Sequence, residues 1–209
     1  MKTEAVTIGA PNFQVAEFTI SGTAPYVQNK FSAKAREQMR IKQEAGHTAK
    51  KGGAREAKDF YACYEAAMHT SLDGWHGIPA PAFRNAMISA CRMAGYQMTR
   101  AKLAVFVVAD GLDKDDMTPL VRISKGEPEY FEQTVRNETG VCDVRPRPMW
   151  HPGWEATVRV RFDADQFTLR DIANLLLRAG MQVGVGEGRP DSKKSCGMGW
   201  GTFEIKEQA

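Results

Sequence analysis

The sequence predicts an α+β fold, an antiparallel sheet backed by helices, and three features of it carry that prediction. From Trp154 to Phe162 the even positions Trp154, Ala156, Val158, Val160 and Phe162 are apolar while Thr157, Arg159 and Arg161 are polar, the period of a half-buried strand. Directly after it, Leu169, Ile172, Leu175, Leu176 and Ala179 share one face at helical spacing. The order of elements, strand-hairpin-helix-strand followed by strand-helix-strand-loop-strand, also suits an antiparallel sheet backed by helices.

Taken in order, Phe13 to Ile20 reads as a strand that ends at Ser21-Gly22-Thr23 and Pro25. Ser32 caps a helix running to about Ala45, with a largely cationic surface and Gly46 as its stop. Residues 46–58 contain Lys50-Lys51-Gly52-Gly53 and no apolar periodicity, and are expected to form a flexible basic loop. Tyr61 to Thr70 is expected to be a strand, turned by Asp73-Gly74 into a short return strand from Trp75 to Ile78. Pro81 suits the first turn of a helix with Phe83, Ala86, Met87, Ala90 and Ala94 on one face and Gly95 after its end. Leu103 to Val108 is an apolar run too short for most helices, hence a buried strand, which Leu120 to Ile123 can pair. The acidic stretch Asp110 to Asp116 between them is expected to be a solvated surface loop. Asp165 or Thr168 caps the helix before Gly180. Met181 to Val185 and Gly201 to Ile205 are expected as strands around a glycine-rich loop region spanning 182–200. The order strand, hairpin, helix, strand, then strand, helix, strand, loop, strand suggests a ferredoxin-like sheet backed by two helices, with basic loops inserted.

The 209 residues, 43% of them apolar, suit a single elaborated domain over 1–209. No run approaches the roughly 18 to 20 apolar residues of a membrane helix, and Met1-Lys2-Thr3-Glu4 does not open a signal peptide, so no membrane association and a cytoplasmic location are expected. Cys63, Cys91, Cys142 and Cys196 lack CxxC spacing and read as reduced thiols. The formal net charge of +3 is small, but its distribution is uneven. Lys30, Lys34, Arg36, Arg40, Lys42, Lys50, Lys51, Arg55 and Lys58 face only Glu37, Glu44 and Glu56 in their segment. Arg145, Arg147, Arg159 and Arg161 form a second cluster, and Arg189, Lys193 and Lys194 a third. A basic side of this kind favours a polyanionic partner.

Gly184-Val185-Gly186-Glu187-Gly188-Arg189-Pro190 and Gly197-Met198-Gly199-Trp200-Gly201 are either a tight β-connection or a ligand-contacting loop. They sit in the wrong context for a dinucleotide fingerprint or a Walker loop, and no cofactor is expected. From Phe13 onward the chain resembles an uncharacterised family of bacteriophage proteins. The resemblance lies in Ile20-Ser21-Gly22-Thr23-Ala24-Pro25, Lys30-Phe31-Ser32-Ala33-Lys34-Ala35, Asp73-Gly74-Trp75-His76-Gly77-Ile78-Pro79 and Gly184 to Pro190. The last third, a strand-helix-strand unit with a glycine-rich loop, is also similar to the repeat-associated mysterious proteins (RAMPs), whose RRM-like domains form RNA-binding backbone subunits of CRISPR effector complexes. That resemblance implies an RRM-like palm sheet, inserted loops, side-by-side oligomers and sequence-independent backbone contacts. The chain departs from it in having no matching catalytic aspartate, processing histidine or thumb hairpin.

Single-strand binders combine a cationic track with stacking rings. In Arg145-Pro146-Arg147-Pro148-Met149-Trp150-His151-Pro152 the prolines favour an extended loop presenting guanidinium groups and the Trp150 indole, with coverage of the sheet edge as the alternative for that ring; Trp154 falls in register with the apolar face. No HxxxH, HxH or HxE pattern occurs, and Cys63, His69 and His76 do not complete a tetrahedral zinc set. Asp113, Asp115 and Asp116 lack the other parts of a calcium or two-metal site, so no metal is expected. The sequence therefore points to a non-enzymatic, phage-encoded protein that binds single-stranded DNA or RNA and assembles as a homo-oligomer, ring or filament. The strand contacts are expected from Lys34, Arg40, Lys50, Lys51, Arg55, Arg145, Arg147, Trp150, Arg159, Arg161, Arg189, Lys193 and Lys194. The alternatives are a decoy subunit entering a host CRISPR complex and a RAMP-type RNA endonuclease with His69 or His76 as base.

Overall fold

The computed structural model describes residues 9–31, 36–38, 40–41, 58–136, 140, 142–192 and 197–206. Its main sheet is organised around the strand with the clearest alternation. We label the strands β1 (Phe13–Gly22), β2 (Tyr26–Val27), β3 (Gly77–Pro79), β4 (Val105–Val108), β5 (Gly111–Leu112), β6 (Pro119–Lys125), β7 (Glu129–Arg136), β8 (Cys142–Trp150), β9 (Glu155–Asp163) and β10 (Phe203–Ile205). The helices are α1 (Phe60–Ala66), α2 (Ala80–Ala90), α3 (Met98–Ala104) and α4 (Leu169–Arg178), the last running into a π-helical turn at Ala179–Val183. Residues 36–38 and 40–41, inside the helix expected from Ser32, are helical.

β9 pairs β1 along its length, from Phe13 opposite Asp163 to Ser21 opposite Glu155. Its other edge is shared by β4, at Val105 to Val108, and β6, at Ile123 and Lys125. β10 extends the sheet beyond β1, and β3 and β5 extend it beyond β6; every pairing is antiparallel. A second sheet runs β2-β8-β7. The even positions of β9 are buried with Ala16 and Ile20 of β1, and α2 and α4 cover that face through Phe83, Met87, Ile172 and Leu176. Thr168 caps α4 by accepting from the Asp171 N–H, and the Asp171 carboxylate accepts from the Thr168 N–H in return. On the opposite face of β1, β9 and β4, Phe13, Val15, Arg161 and Val108 are exposed. This is an α+β fold with an antiparallel sheet, as the sequence predicts. No helix among the described residues is long and apolar enough to cross a membrane.

Four local expectations are corrected. Residues 60–66 are helix α1 rather than strand, capped by Asp59, whose Oδ1 accepts from the Ala62 N–H at 2.9 Å. Alanine and glutamate content favours the helix, and its buried Tyr64 packs on Tyr130. Met181 to Val185 is not a strand, because α4 continues past Gly180 as the π-helical turn. A Cβ at Gly180 would lie 2.1 Å from the Phe203 carbonyl, so the missing side chain admits β10 and does not end the helix. Termination comes at Gly184, with φ 73° and its N–H donating to the Ala179 carbonyl. The proline-broken segment is strand β8 and not a loop. The Pro148 carbonyl accepts from the Gln28 N–H, so Pro148 and Pro146, two residues apart, turn their donor-less nitrogens away from β7 and spare that ladder. The acidic segment 110–116 is exposed at Asp110, Lys114 and Asp115 as expected of a surface loop, but Gly111–Leu112 form β5 and Asp113 is wholly buried.

Candidate nucleic-acid interface

The open side of the sheet follows from register. Val15, Arg161 and Phe106 are cross-strand neighbours in one row, and Glu17, Arg159 and Val108 in the next. Their side chains alternate with the buried set and so point away from the helices. Phe13 and Phe106 meet edge to face at 5.8 Å, and the Arg161 guanidinium lies over both rings, 4.8 and 5.0 Å from their centroids. Phe13 is 38% exposed and Val15 60%. Arg161 has no ion pair with any described residue. A cation held over two rings, with Asp163 and Glu17 in neighbouring rows but no ion pair to a described residue, offers both a phosphate contact and stacking area. Arg84 of α2 approaches Phe106 from the sheet edge, at 5.2 Å.

The other expected contact residues have different surroundings. Arg159 faces the same way as Arg161 but is ion-paired to Asp110 and lies opposite Glu17. Arg145 pairs with Asp143 at 3.0 Å, and Arg40 with Glu37 at 2.7 Å. Arg147 is a correction: 7% exposed, it is tied to Glu187 at 2.6 Å and locks β8 to the glycine-rich segment instead of facing solvent. Trp150 is another, because its ring is fully buried against Tyr26 and His76 and cannot stack on a base in this conformation. Of the two readings left open for that ring, packing is the one observed. Arg189 donates to the Gly186 carbonyl at 3.0 Å. Lys34, Lys50, Lys51, Arg55, Lys193 and Lys194 lie outside the described residues, as does nearly all of the expected loop 46–58.

The glycines after α4 serve internal contacts. A Cβ at Gly201 would stand 1.7 Å from the Val185 carbonyl, and one at Gly186 would stand 2.6 Å from the Val27 carbonyl. Both have positive φ, so neither tolerates a side chain readily. A cleft of about 330 Å³ separates this segment from α2 and includes Asn85, Ser89, Arg189 and Asp191.

Sequence reasoning missed a buried polar network. Lys30, read as part of the exposed basic segment, is 5% exposed and donates to Asp113 and Asp115, both at 2.6 Å. Asp113 also meets His69 Nδ1 at 2.9 Å, and the His69 N–H donates to Gln28 Oε1. Burial pushes the Asp113 carboxyl up, but the bonds from Lys30, the Asp115 N–H and His69 outweigh it and hold it below its ordinary value. For His69 burial is the larger influence, and its pKa is lowered despite Asp113. No local spacing joins Lys30, His69 and Asp113 in the sequence, since each lies in a separate segment. No group of three metal-ligating side chains arises among the described residues. No protein-family model matches the chain, and no curated protein matches it.

Proposed function

We propose that this protein binds single-stranded nucleic acid across the open face of its main sheet. The observation that carries the reading is Arg161 held over Phe13 and Phe106 beside the exposed Val15. The fold supports it: β10, β1, β9 and β4 lie side by side in that order, with α2 between β1 and β4 in sequence and α4 between β9 and β10. We read this as a ferredoxin-like plan of the RRM kind, in which a strand of RNA or DNA lies on the sheet opposite the helices. Contacts to the backbone and to base faces make the binding largely independent of sequence.

The same reading includes a non-enzymatic role in a phage-infected cell and assembly of several copies along one strand. Lys30 takes no part in that assembly, since it is buried. Filter binding of labelled single-stranded DNA, single-stranded RNA and duplex at two salt concentrations tests it. Single strands should bind at low salt and weaken as salt rises, through counterion release. Cleavage products from the labelled strand would move the protein to the RNA-endonuclease reading.

A further inference from the structure

The same sheet face carries a second feature, some four residues along β9 from Arg161, about 13 Å at the usual strand rise. There Trp75, Asp110, Arg122, Ser124 and Thr157 line a hollow of about 280 Å³. Register places Arg122 and Ser124 on the side opposite the buried Val121 and Ile123, and Thr157 on the side of Arg159. Trp75 leaves a closed turn: Ser71 N–H donates to the Trp75 carbonyl at 2.8 Å, and Trp75 N–H donates to Ser71 Oγ at 3.1 Å. Its six-membered ring fills the space over two glycines. A Cβ at Gly77 would come within 2.9 Å of the indole, and one at Gly111 within 2.7 Å. Neither glycine has a positive φ, so backbone conformation does not require them there. The indole does.

Beside the ring, the Arg122 guanidinium lies 6.0 Å from the indole centroid and has no ion pair with any described residue. The Ser124 and Thr157 hydroxyls can each donate and accept. Asp110 is fixed from both sides, accepting from the Arg122 N–H at 2.8 Å and pairing with Arg159. An aromatic wall, a cation and a fixed acceptor are the groups that hold a base by stacking and by its edge. The hollow falls just below the usual size of a small-molecule site, which favours one base over a dinucleotide cofactor.

We propose that this hollow seats one nucleobase of the bound strand, stacked on Trp75, with Asp110 accepting from an exocyclic amino group so that adenine, cytosine or guanine is preferred to uracil. The proposal rests on the sheet-face reading, yet the site can be probed without a strand. Intrinsic tryptophan fluorescence is titrated with each of the four nucleoside monophosphates, and affinity for a twelve-nucleotide single strand is measured, in the wild type, Trp75→Leu and Arg122→Ala. Arg122 is exposed, so its replacement keeps the fold if Trp75→Leu does not. The expected result is quenching by the amino-bearing nucleotides above that by uridine monophosphate, lost in Trp75→Leu, with strand affinity at least about fivefold weaker in both variants. Strand binding unchanged in both variants, with no Trp75-dependent quenching, overturns the hollow and leaves the sheet reading standing. Trp75-dependent quenching with no strand binding by the wild type overturns the sheet reading and keeps a mononucleotide site. Neither signal removes both.

Discussion

Lys30 Nζ lies 2.6 Å from Asp113 Oδ1, with the two side chains 1% and 0% exposed. The pair ties the chain after β2 to the turn between β5 and β6, and His69 and Asp115 complete it. A buried ion pair adds little over an apolar pair of the same shape, but breaking one leaves an uncompensated charge. Lys30→Met should therefore cost about 3–5 kcal/mol in chemical denaturation. Adding Asp113→Leu should recover part of that loss, which a double-mutant cycle measures.

Stability should fall on both sides of a plateau. Asp113, held below its ordinary value, contributes stability that is present above about pH 3.9 and lost as pH falls through its folded value. His69 is also lowered, so below about pH 6.5 the unfolded chain takes up the proton first and stability begins to decline there. Lys30 is raised: burial pulls it down, and its bonds to Asp113 and Asp115 more than restore it. Its contribution is full below about pH 10.4 and lost as pH rises through the folded value. Urea midpoints across pH should be flat from about 7 to 8.5, above which burial of the Cys91 thiol begins a decline. His69→Gln should reduce the decline near pH 6.5, leaving the part due to His76, which burial also lowers.

Trp150 should behave as a core residue. Its indole is fully buried, and its N–H meets no hydrogen-bond partner among the described residues. Trp150→Ala should cost about 3–5 kcal/mol by leaving a cavity. Trp150→Phe should cost much less, since it also removes an unsatisfied donor. Thermal melts of the two variants check the order, and strand affinity of the folded Trp150→Phe protein should match the wild type.

The strands and helices that read clearly in the sequence are those whose burial is one-sided. β9 and α4 each bury one face only, so period two and period 3.6 stand out, and the same alternation put Arg159 and Arg161 on the outside. α1 was not legible as a helix, because seven residues with one buried tyrosine give too short a pattern to separate the two periods. Trp150 and Arg147 were misplaced for a different reason. Their burial depends on β8 lying between β2 and β7, a long-range pairing that prolines disguise locally. Phe13 and Phe106 are 93 residues apart in number and gain their meaning only when β9 brings them to one arginine. Likewise Gly111 looks like a turn residue until Trp75 is seen over it, and Gly77 until Trp75 and the Val121 carbonyl are.

The most direct test of the central claim is the affinity of Arg161→Ala for a labelled single strand, measured across salt beside the wild type and a Lys206→Ala control. Arg161 lies outside the core, so the variant should melt as the wild type does. The account predicts binding weakened by about 1–3 kcal/mol, with a shallower dependence of log affinity on log salt because one phosphate contact is lost. A natively folded Arg161→Ala protein with wild-type affinity and wild-type salt slope would contradict it.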